Sequence, residues 1–121
     1  MSKIKILLID DDSDLLTLMQ INLAHSGFEV YTASHGQNGL SLVKSIIPDL
    51  IVSDIVMPEV NGYAFIREIK SDDDYSHIPV IAISGRDNFR DIILLEGADI
   101  FLPKPFSFEQ LLNTIVGLMK I

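Results

Sequence analysis

The sequence contains no cysteine, and its 9 basic side chains are outnumbered by 17 acidic ones. The absence of cysteine excludes disulfide bonds and thiolate metal sites within this chain. The net charge of −8 argues against direct binding to nucleic-acid phosphates. No apolar run approaches the ~20 residues that a membrane-spanning helix needs, and Asp10–Asp12 interrupt the N-terminal apolar stretch before it could serve as a signal peptide. We therefore expect an acidic cytoplasmic protein that does not bind membranes.

The length and composition indicate one folded domain. Apolar residues make up 48% of the 121 residues and charged residues 21%, which excludes a disordered chain. No internal repeat, linker or charge block divides the sequence. We expect a single domain that covers residues 1–121.

Short apolar runs alternate five times with patterns of helical spacing. The first, third and fourth runs are almost continuously apolar, which is typical of parallel strands covered on both faces. Strands that alternate with helices predict right-handed crossovers, and hence an α/β fold with a doubly wound parallel sheet of five strands and five helices. The runs lie at residues 4–9, 28–33, 50–52, 80–83 and 100–102.

Chemically active side chains follow four of these predicted strands. In a doubly wound sheet, ligands bind at the carboxyl ends of the strands. Acidic residues end the first and third strands, a serine ends the fourth, and a lysine follows the fifth. The side chains expected at this edge are Asp10, Asp11, Asp12, Asp54, Ser84 and Lys104.

Carboxylates gathered at one edge repel each other and need compensating positive charge. Two of them about 5 Å apart repel by about 3 kcal/mol at an effective dielectric constant of about 20. Lys104 offsets part of this repulsion, and a hard divalent cation such as Mg²⁺ would offset the rest. A carboxylate beside Mg²⁺, a lysine and a hydroxyl group is an arrangement suited to phosphoryl transfer.

The motifs at these strand ends resemble those of the response-regulator receiver domains of two-component signalling, the CheY-like superfamily. The resemblance covers essentially the whole chain. It implies a flavodoxin-like sheet with strand order 2-1-3-4-5, and a phosphoprotein that acts in a phosphorelay. The motifs that carry it are residues 7–12, residues 54–62, the pair Ser84–Gly85, and residues 97–99 leading to Lys104, Pro105 and Phe106.

The resemblance assigns the acceptor and the metal ligands. Asp54 is expected to accept the phosphoryl group. Asp11 would bind Mg²⁺ (or Mn²⁺) directly, Asp10 would act mainly through a metal-bound water, and Asp54 and the backbone carbonyl of Val56 would complete the protein ligands.

The resemblance also assigns the residues that hold the phosphoryl group and respond to it. Ser84 and Lys104 would bind the group, helped by the backbone N–H groups of Val56 and Gly85. Ser84 and the aromatic residue Phe101 would form the switch, with the ring moving inward. A cis peptide bond is expected between Lys104 and Pro105.

The implied partners are a histidine kinase or histidine phosphotransfer protein and a downstream output domain or protein. The output surface would consist of the fourth helix, fifth strand and fifth helix, which could also form a homodimer. The domain is not expected to be a conventional enzyme; it would catalyse its own phosphorylation and a slow dephosphorylation, because apolar Val56 stands where a polar residue can position water.

Two other functions compete with this interpretation. The pattern Asp10-x-Asp12 partly matches a haloacid-dehalogenase-like phosphatase, but the acidic pair that such enzymes need after the lysine is missing, and Asp54 has no role in them. A docking module that works without phosphorylation is the other alternative. The acidic run Asp72–Asp74 is expected to be a solvated loop rather than a cation site.

Overall fold

The structure, a computed structural model, describes residues 3–55, 62–85, 93–94 and 97–121. Residues 93 and 94 are helical, and the rest of the predicted fourth helix lies outside the described residues. In the part of the chain that the structure describes, no helix is long and apolar enough to cross a membrane. The elements with full bounds are β1 (Lys5–Ile9), α1 (Ser13–His25), β2 (Glu29–Ala33), α2 (Gly36–Ile46), β3 (Leu50–Asp54), α3 (Gly62–Ser71), β4 (Val80–Ser84), β5 (Ile100–Pro103) and the C-terminal helix (Phe108–Met119).

The five strands form one parallel sheet in the order β2-β1-β3-β4-β5. This confirms the predicted fold class and strand order. Consecutive strands β1 and β2 are neighbours, but β3 pairs with β1 on the other side, so the strand order reverses beside β1. The carboxyl ends of β1 and β3 therefore flank the crevice in which doubly wound sheets bind their ligands.

Alternate strand residues face two separate apolar layers, because successive side chains of a strand point to opposite faces. Leu7 and Ile9 of β1 pack into one layer with side chains of α2 and α3. Ile6 and Leu8 pack into the other layer with side chains of α1 and the C-terminal helix. Both faces of β1, β3 and β4 are buried, as the continuous apolar runs predicted.

Side-chain caps set the starts of two helices at the carboxyl edge of the sheet. The Asp12 carboxylate accepts hydrogen bonds from the backbone N–H groups of Asp14 and Leu15, at 3.1 and 3.2 Å, and so caps α1. Ser107 and Gln110 form a reciprocal capping box at the start of the C-terminal helix. The two caps fix where the chain turns after the acidic run and after Lys104.

Lys70 stabilises the amino-terminal edge of the sheet, opposite the carboxyl edge, near the starts of β4 and β5. The Lys70 ammonium group, near the end of α3, donates to the carbonyl oxygens of Ile78 at 2.7 Å and Ser76 at 3.3 Å, and to the Asp99 carboxylate at 3.1 Å. The same carboxylate oxygen accepts a hydrogen bond from the N–H of Val80 at 2.8 Å. This network joins α3 to the starts of β4 and β5, far from the acidic edge.

Candidate acidic site at the carboxyl edge of the sheet

The strand register places the predicted site residues at one edge of the sheet. Asp10 follows β1 directly, and Asp54 is the last residue of β3. Ser84 is the last residue of β4, where it pairs with Pro103 at the end of β5. Lys104 comes next, and its N–H donates to the Ser84 carbonyl at 2.8 Å. The backbone of four neighbouring strands thus brings these residues together.

Three carboxylates meet at this edge. One carboxylate oxygen from each of Asp10, Asp11 and Asp54 lies within 4.8 Å of the others. Asp10 is fully buried and Asp54 is 5% exposed, whereas Asp11 is open to solvent. Buried carboxylates at this separation require compensation, because burial removes the water that would screen their charges.

Lys104 supplies part of that compensation. Its ammonium group lies 2.9 Å from Oδ2 of Asp10 and 3.4 Å from Oδ2 of Asp54. The lysine side chain is 24% exposed, so the ion pairs are only partly screened by water. Lys104 thus links two buried carboxylates that are distant from it in the sequence. Asp10 lies 94 residues before it and Asp54 lies 50 residues before it.

The ionisation of Lys104 reflects these contacts. Burial by itself lowers the pKa of the ammonium group, because the charged form loses water. The hydrogen bonds and negative charges of Asp10 and Asp54 together outweigh burial and leave the pKa raised above the ordinary lysine value. Lys104 therefore carries a full positive charge at neutral pH.

Both oxygens of Asp10 are occupied by protein donors. Oδ1 accepts a hydrogen bond from the N–H of Asp12 at 2.9 Å, and Oδ2 accepts one from Lys104 at 2.9 Å. A carboxylate held in this way is better placed to bind a metal-bound water than the metal itself. The roles of Asp10, Asp11 and Asp54 toward a metal ion stay predictions of the family resemblance.

The donor set fits a hard divalent cation. Carboxylate oxygens and water are the ligands that Mg²⁺ prefers, and it is usually held by one or two carboxylates with several waters retained. The exposure of Asp11 leaves room for such waters on the solvent side of the cluster. Three carboxylates and one lysine also leave a net negative charge, which favours a cation over a bare anion at this site.

The structure places most of the remaining predicted features at or beneath the acidic edge. Ser84 is 1% exposed at the end of β4, and Gly85 beyond it is exposed, so both lie at the acidic edge. Phe101 is 6% exposed, and its ring packs into the apolar layer shared with α2 and α3. The bond from Lys104 to Pro105 is cis, as expected. Val56 lies outside the described residues.

An apolar hollow that the sequence patterns did not predict lies beside the site. It has a volume of about 420 Å³ and is lined by Leu15, Gly85, Lys104, Pro105 and Phe106. The feature of the sequence that could have indicated this hollow is Leu15, an apolar residue in the first turn of α1, the helix that follows the acidic run.

A larger hollow of about 890 Å³ lies beside α3, and Asp72–Asp74 form part of its lining. None of the predicted site residues lines that larger hollow. This arrangement agrees with the expectation that the acidic run is a solvated loop.

An acidic crevice at the strand-order reversal of a doubly wound sheet, closed by the lysine that follows β5, defines a class of receiver-like α/β domains. The family model of the response regulator receiver domain matches residues 6–116. The chain therefore belongs to the response regulator receiver domain family, whose members work in two-component signalling.

Individual relatives agree with this assignment. The chain is 34% identical over 121 residues to the transcriptional regulatory protein TrcR of Mycobacterium tuberculosis, covering 98% of this chain and 46% of TrcR. It is 37% identical over 118 residues to the alkaline phosphatase synthesis transcriptional regulatory protein PhoP of Bacillus subtilis, covering 96% of this chain and 48% of PhoP. The chain spans about half the length of these curated relatives.

Solved structures of similar length share the fold. The chemotaxis response regulator CheY4 of Vibrio cholerae superposes with a TM-score of 0.90 at 27% identity, covering 97% of this chain and 99% of that one. The receiver domain of the sensor histidine kinase PA1611 from Pseudomonas aeruginosa superposes with a TM-score of 0.90 at 24% identity, covering 99% and 100%, and was solved with a magnesium ion in its active-site cleft.

Proposed function

We propose that this domain accepts a phosphoryl group on Asp54 from a phosphohistidine of a partner protein, in a step that needs Mg²⁺. The observation that carries the proposal is the contact of Lys104 with both buried carboxylates at the carboxyl edge, 2.9 Å from Asp10 and 3.4 Å from Asp54. A lysine in that position neutralises phosphoryl oxygens during transfer, as positive groups do in phosphoryl-transfer sites generally.

The transfer exchanges one bond to phosphorus for another. A carboxylate oxygen of Asp54 forms the new P–O bond while the P–N bond of the phosphohistidine breaks. The imidazole nitrogen keeps the electron pair of the broken bond and takes a proton from solvent. Lys104 holds a positive charge 3.4 Å from the Asp54 carboxylate, where it can also pair with the oxygens of the transferring group.

Asp11 and Asp54 would hold the metal ion, with Asp10 acting through water and Val56 through its carbonyl. The proposal is supported by the three carboxylate oxygens within 4.8 Å of one another and by the magnesium ion reported for the related PA1611 domain. Bound Mg²⁺, or Mn²⁺ in its place, supplies positive charge that stabilises the oxygens of the transferring group.

The response to phosphorylation is proposed to pass through Ser84 and Phe101. Ser84 ends the strand next to Asp54, and the Phe101 ring is buried beneath that edge. Since Phe101 has no hydroxyl group, its burial leaves no polar atom without water. A shift of Ser84 toward the phosphoryl group would change the contacts of the ring and alter the output surface formed by the fourth helix, β5 and the C-terminal helix.

The partners follow from the family. A histidine kinase or histidine phosphotransfer protein would donate the phosphoryl group, and an output domain or protein would read the altered surface. TrcR and PhoP, which the chain matches over about half of their length, are transcriptional regulators by name. We further propose that residues 1–121 form a single receiver domain, that it acts in the cytoplasm, and that the output surface can also hold a second copy.

Phosphorylation by labelled acetyl phosphate tests the proposal directly. Wild-type protein is expected to incorporate label with Mg²⁺ and to lose most of that incorporation with excess EDTA. Asp54→Asn should abolish labelling, because its amide lacks the nucleophilic oxygen. Asp72→Asn, which removes a carboxylate from the α3–β4 loop, is the matched control and should label normally. Full labelling of Asp54→Asn would refute the assignment.

A further inference from the structure

Ser53 is a fully buried serine, one residue before the proposed acceptor. It lies between Ile51 and Ile55, which both belong to the apolar layer shared with α2 and α3, and alternate residues of an extended chain face the same side. Its neighbours in register on the adjoining strands, Ile9 and Ala82, belong to the same layer. A hydroxyl group in such surroundings loses its water, and this loss is costly unless the group is hydrogen-bonded.

The hydroxyl group of Ser53 is bonded to the backbone of the proposed acceptor. It donates to the carbonyl oxygen of Asp54 at 3.0 Å. The N–H of the same peptide unit, which belongs to Ile55, donates to the carbonyl oxygen of Ile83 at 3.0 Å. The peptide unit between Asp54 and Ile55 is therefore held at both of its polar groups, by β4 at the N–H and by Ser53 at the carbonyl.

This peptide unit lies where the registered pairing of β3 with β1 ends. That pairing extends to Ile9 and Ser53, whereas the pairing of β3 with β4 continues to Asp54 and Ile83. The Asp54 side chain leaves the backbone on the face opposite to Ser53, and its carboxylate lies 3.4 Å from the ammonium group of Lys104. A rotation of the peptide unit would change the direction of the carboxylate, because both are attached to the same Cα atom.

We propose that Ser53 is a positioning residue for phosphoryl transfer: its hydroxyl group fixes the peptide unit after Asp54, and so fixes the direction in which the carboxylate meets the phosphorus atom. This inference rests on the proposed function. The hydroxyl group and the carboxylate lie on opposite faces of the sheet, so Ser53 acts through the backbone and does not touch the donor. Transfer is sensitive to alignment, because a displacement of about 1 Å can cost about 100-fold in rate.

Substitutions that differ only in the hydroxyl group separate positioning from packing. Ser53→Thr and Ser53→Val have nearly the same shape, so any crowding of the apolar layer is common to both, and only the threonine can donate to the carbonyl of Asp54. Ser53→Ala removes the hydroxyl group without adding bulk. Ser71→Ala is the matched control, because the Ser71 hydroxyl also donates to a backbone carbonyl, that of Glu68 at 3.3 Å, but at the end of α3.

The measurement is the rate constant of labelling by acetyl phosphate at saturating Mg²⁺, divided by the folded fraction that urea unfolding gives in the same buffer. Ser53→Ala and Ser53→Val should each label about tenfold more slowly than wild type, and Ser53→Thr should label within about twofold of wild type. The urea midpoint of Ser53→Ala should shift by less than about 0.5 M, because one hydrogen bond contributes little net stability. Ser71→Ala should match wild type in both measurements.

Two results would overturn the positioning role while wild-type protein still labels with acetyl phosphate. One is an equal labelling rate in Ser53→Val and Ser53→Thr, which would show that the hydroxyl group has no part in the reaction. The other is a wild-type labelling rate in Ser53→Ala. Both results would leave Asp54 as the proposed acceptor. Failure of acetyl phosphate to label the wild type would instead refute the proposed function, and the positioning role with it.

Discussion

Replacing Lys104 by methionine is expected to destabilise the protein specifically through the acidic site. Methionine keeps most of the length and apolar volume of the lysine stem, and the backbone hydrogen bond from residue 104 to Ser84 is unaffected. What is lost is the ammonium group 2.9 Å from Asp10 and 3.4 Å from Asp54. Two buried carboxylates then face each other without a cation.

The size of the effect follows from the distances. Carboxylate oxygens that lie within 4.8 Å of one another repel by about 3 kcal/mol or more at an effective dielectric constant of about 20. Removal of one partner from a buried ion pair typically costs about 3–5 kcal/mol. Because the Lys104 side chain is 24% exposed, we expect the lower end, a loss of about 3 kcal/mol in the free energy of unfolding at pH 7.

Urea unfolding without divalent cations measures this loss. Lys44→Met, on the exposed last turn of α2, is the control and should change stability by less than about 0.5 kcal/mol. Adding Asp10→Asn to Lys104→Met should restore much of the lost stability, since it removes the repulsion while an amide oxygen can still accept from Asp12. Saturating Mg²⁺ should stabilise Lys104→Met more than the wild type. Equal stability of Lys104→Met and wild type in metal-free buffer would refute this account of the charge balance.

Three further substitutions and one pH profile test other parts of the structure. Ile47 is exposed and has a φ of 49°. The substitution Ile47→Asn should raise the free energy of unfolding by about 1 kcal/mol in urea unfolding, because asparagine tolerates the left-handed region. Gly39→Ala should lower the free energy of unfolding, measured by thermal unfolding, by about 1–3 kcal/mol, since its Cβ would lie 2.5 Å from Cδ1 of buried Ile9. Asp12→Ala should cost about 1 kcal/mol in urea unfolding, through loss of the α1 cap. The pKa of Lys104 is raised in the folded protein, so its stabilisation is complete below the ordinary lysine pKa of about 10.4. The stabilisation is lost as the pH rises from that value through the higher pKa of the folded protein. The alkaline loss of stability should therefore be larger in wild type than in Lys104→Met.

Much of the fold could be predicted because each element carries a local signal. Continuous apolar runs identified β1, β3 and β4, and the apolar patterns of helical spacing between them identified the helices. Once the sheet was doubly wound, the position of Asp54 and Lys104 at the same edge followed from the ends of their strands. The common edge of these two residues could therefore be predicted, whereas the 3.4 Å distance between Lys104 Nζ and Asp54 Oδ2 is a finding of the structure.

Other features depend on side-chain geometry that sequence patterns do not contain. The preference of Lys104 for Asp10 over Asp54 depends on how far each strand reaches along the edge. The cap of α2 by the His35 ring, whose Nδ1 accepts from the N–H of Asn38 at 3.4 Å, depends on a rotamer. The exposed fractions of Leu18 and Ile21, 57% and 51%, depend on how much of α1 its neighbours cover.

The most direct test of the central claim locates the phosphoryl group itself. Protein phosphorylated by acetyl phosphate with Mg²⁺ is treated with borohydride, which reduces an aspartyl phosphate to homoserine, and the position of homoserine is read by peptide mass spectrometry. The account predicts homoserine at Asp54 and none in the Lys104→Met, Asp54→Asn double variant. Homoserine at Asp10 would contradict it and would favour a phosphatase-type nucleophile on β1 instead.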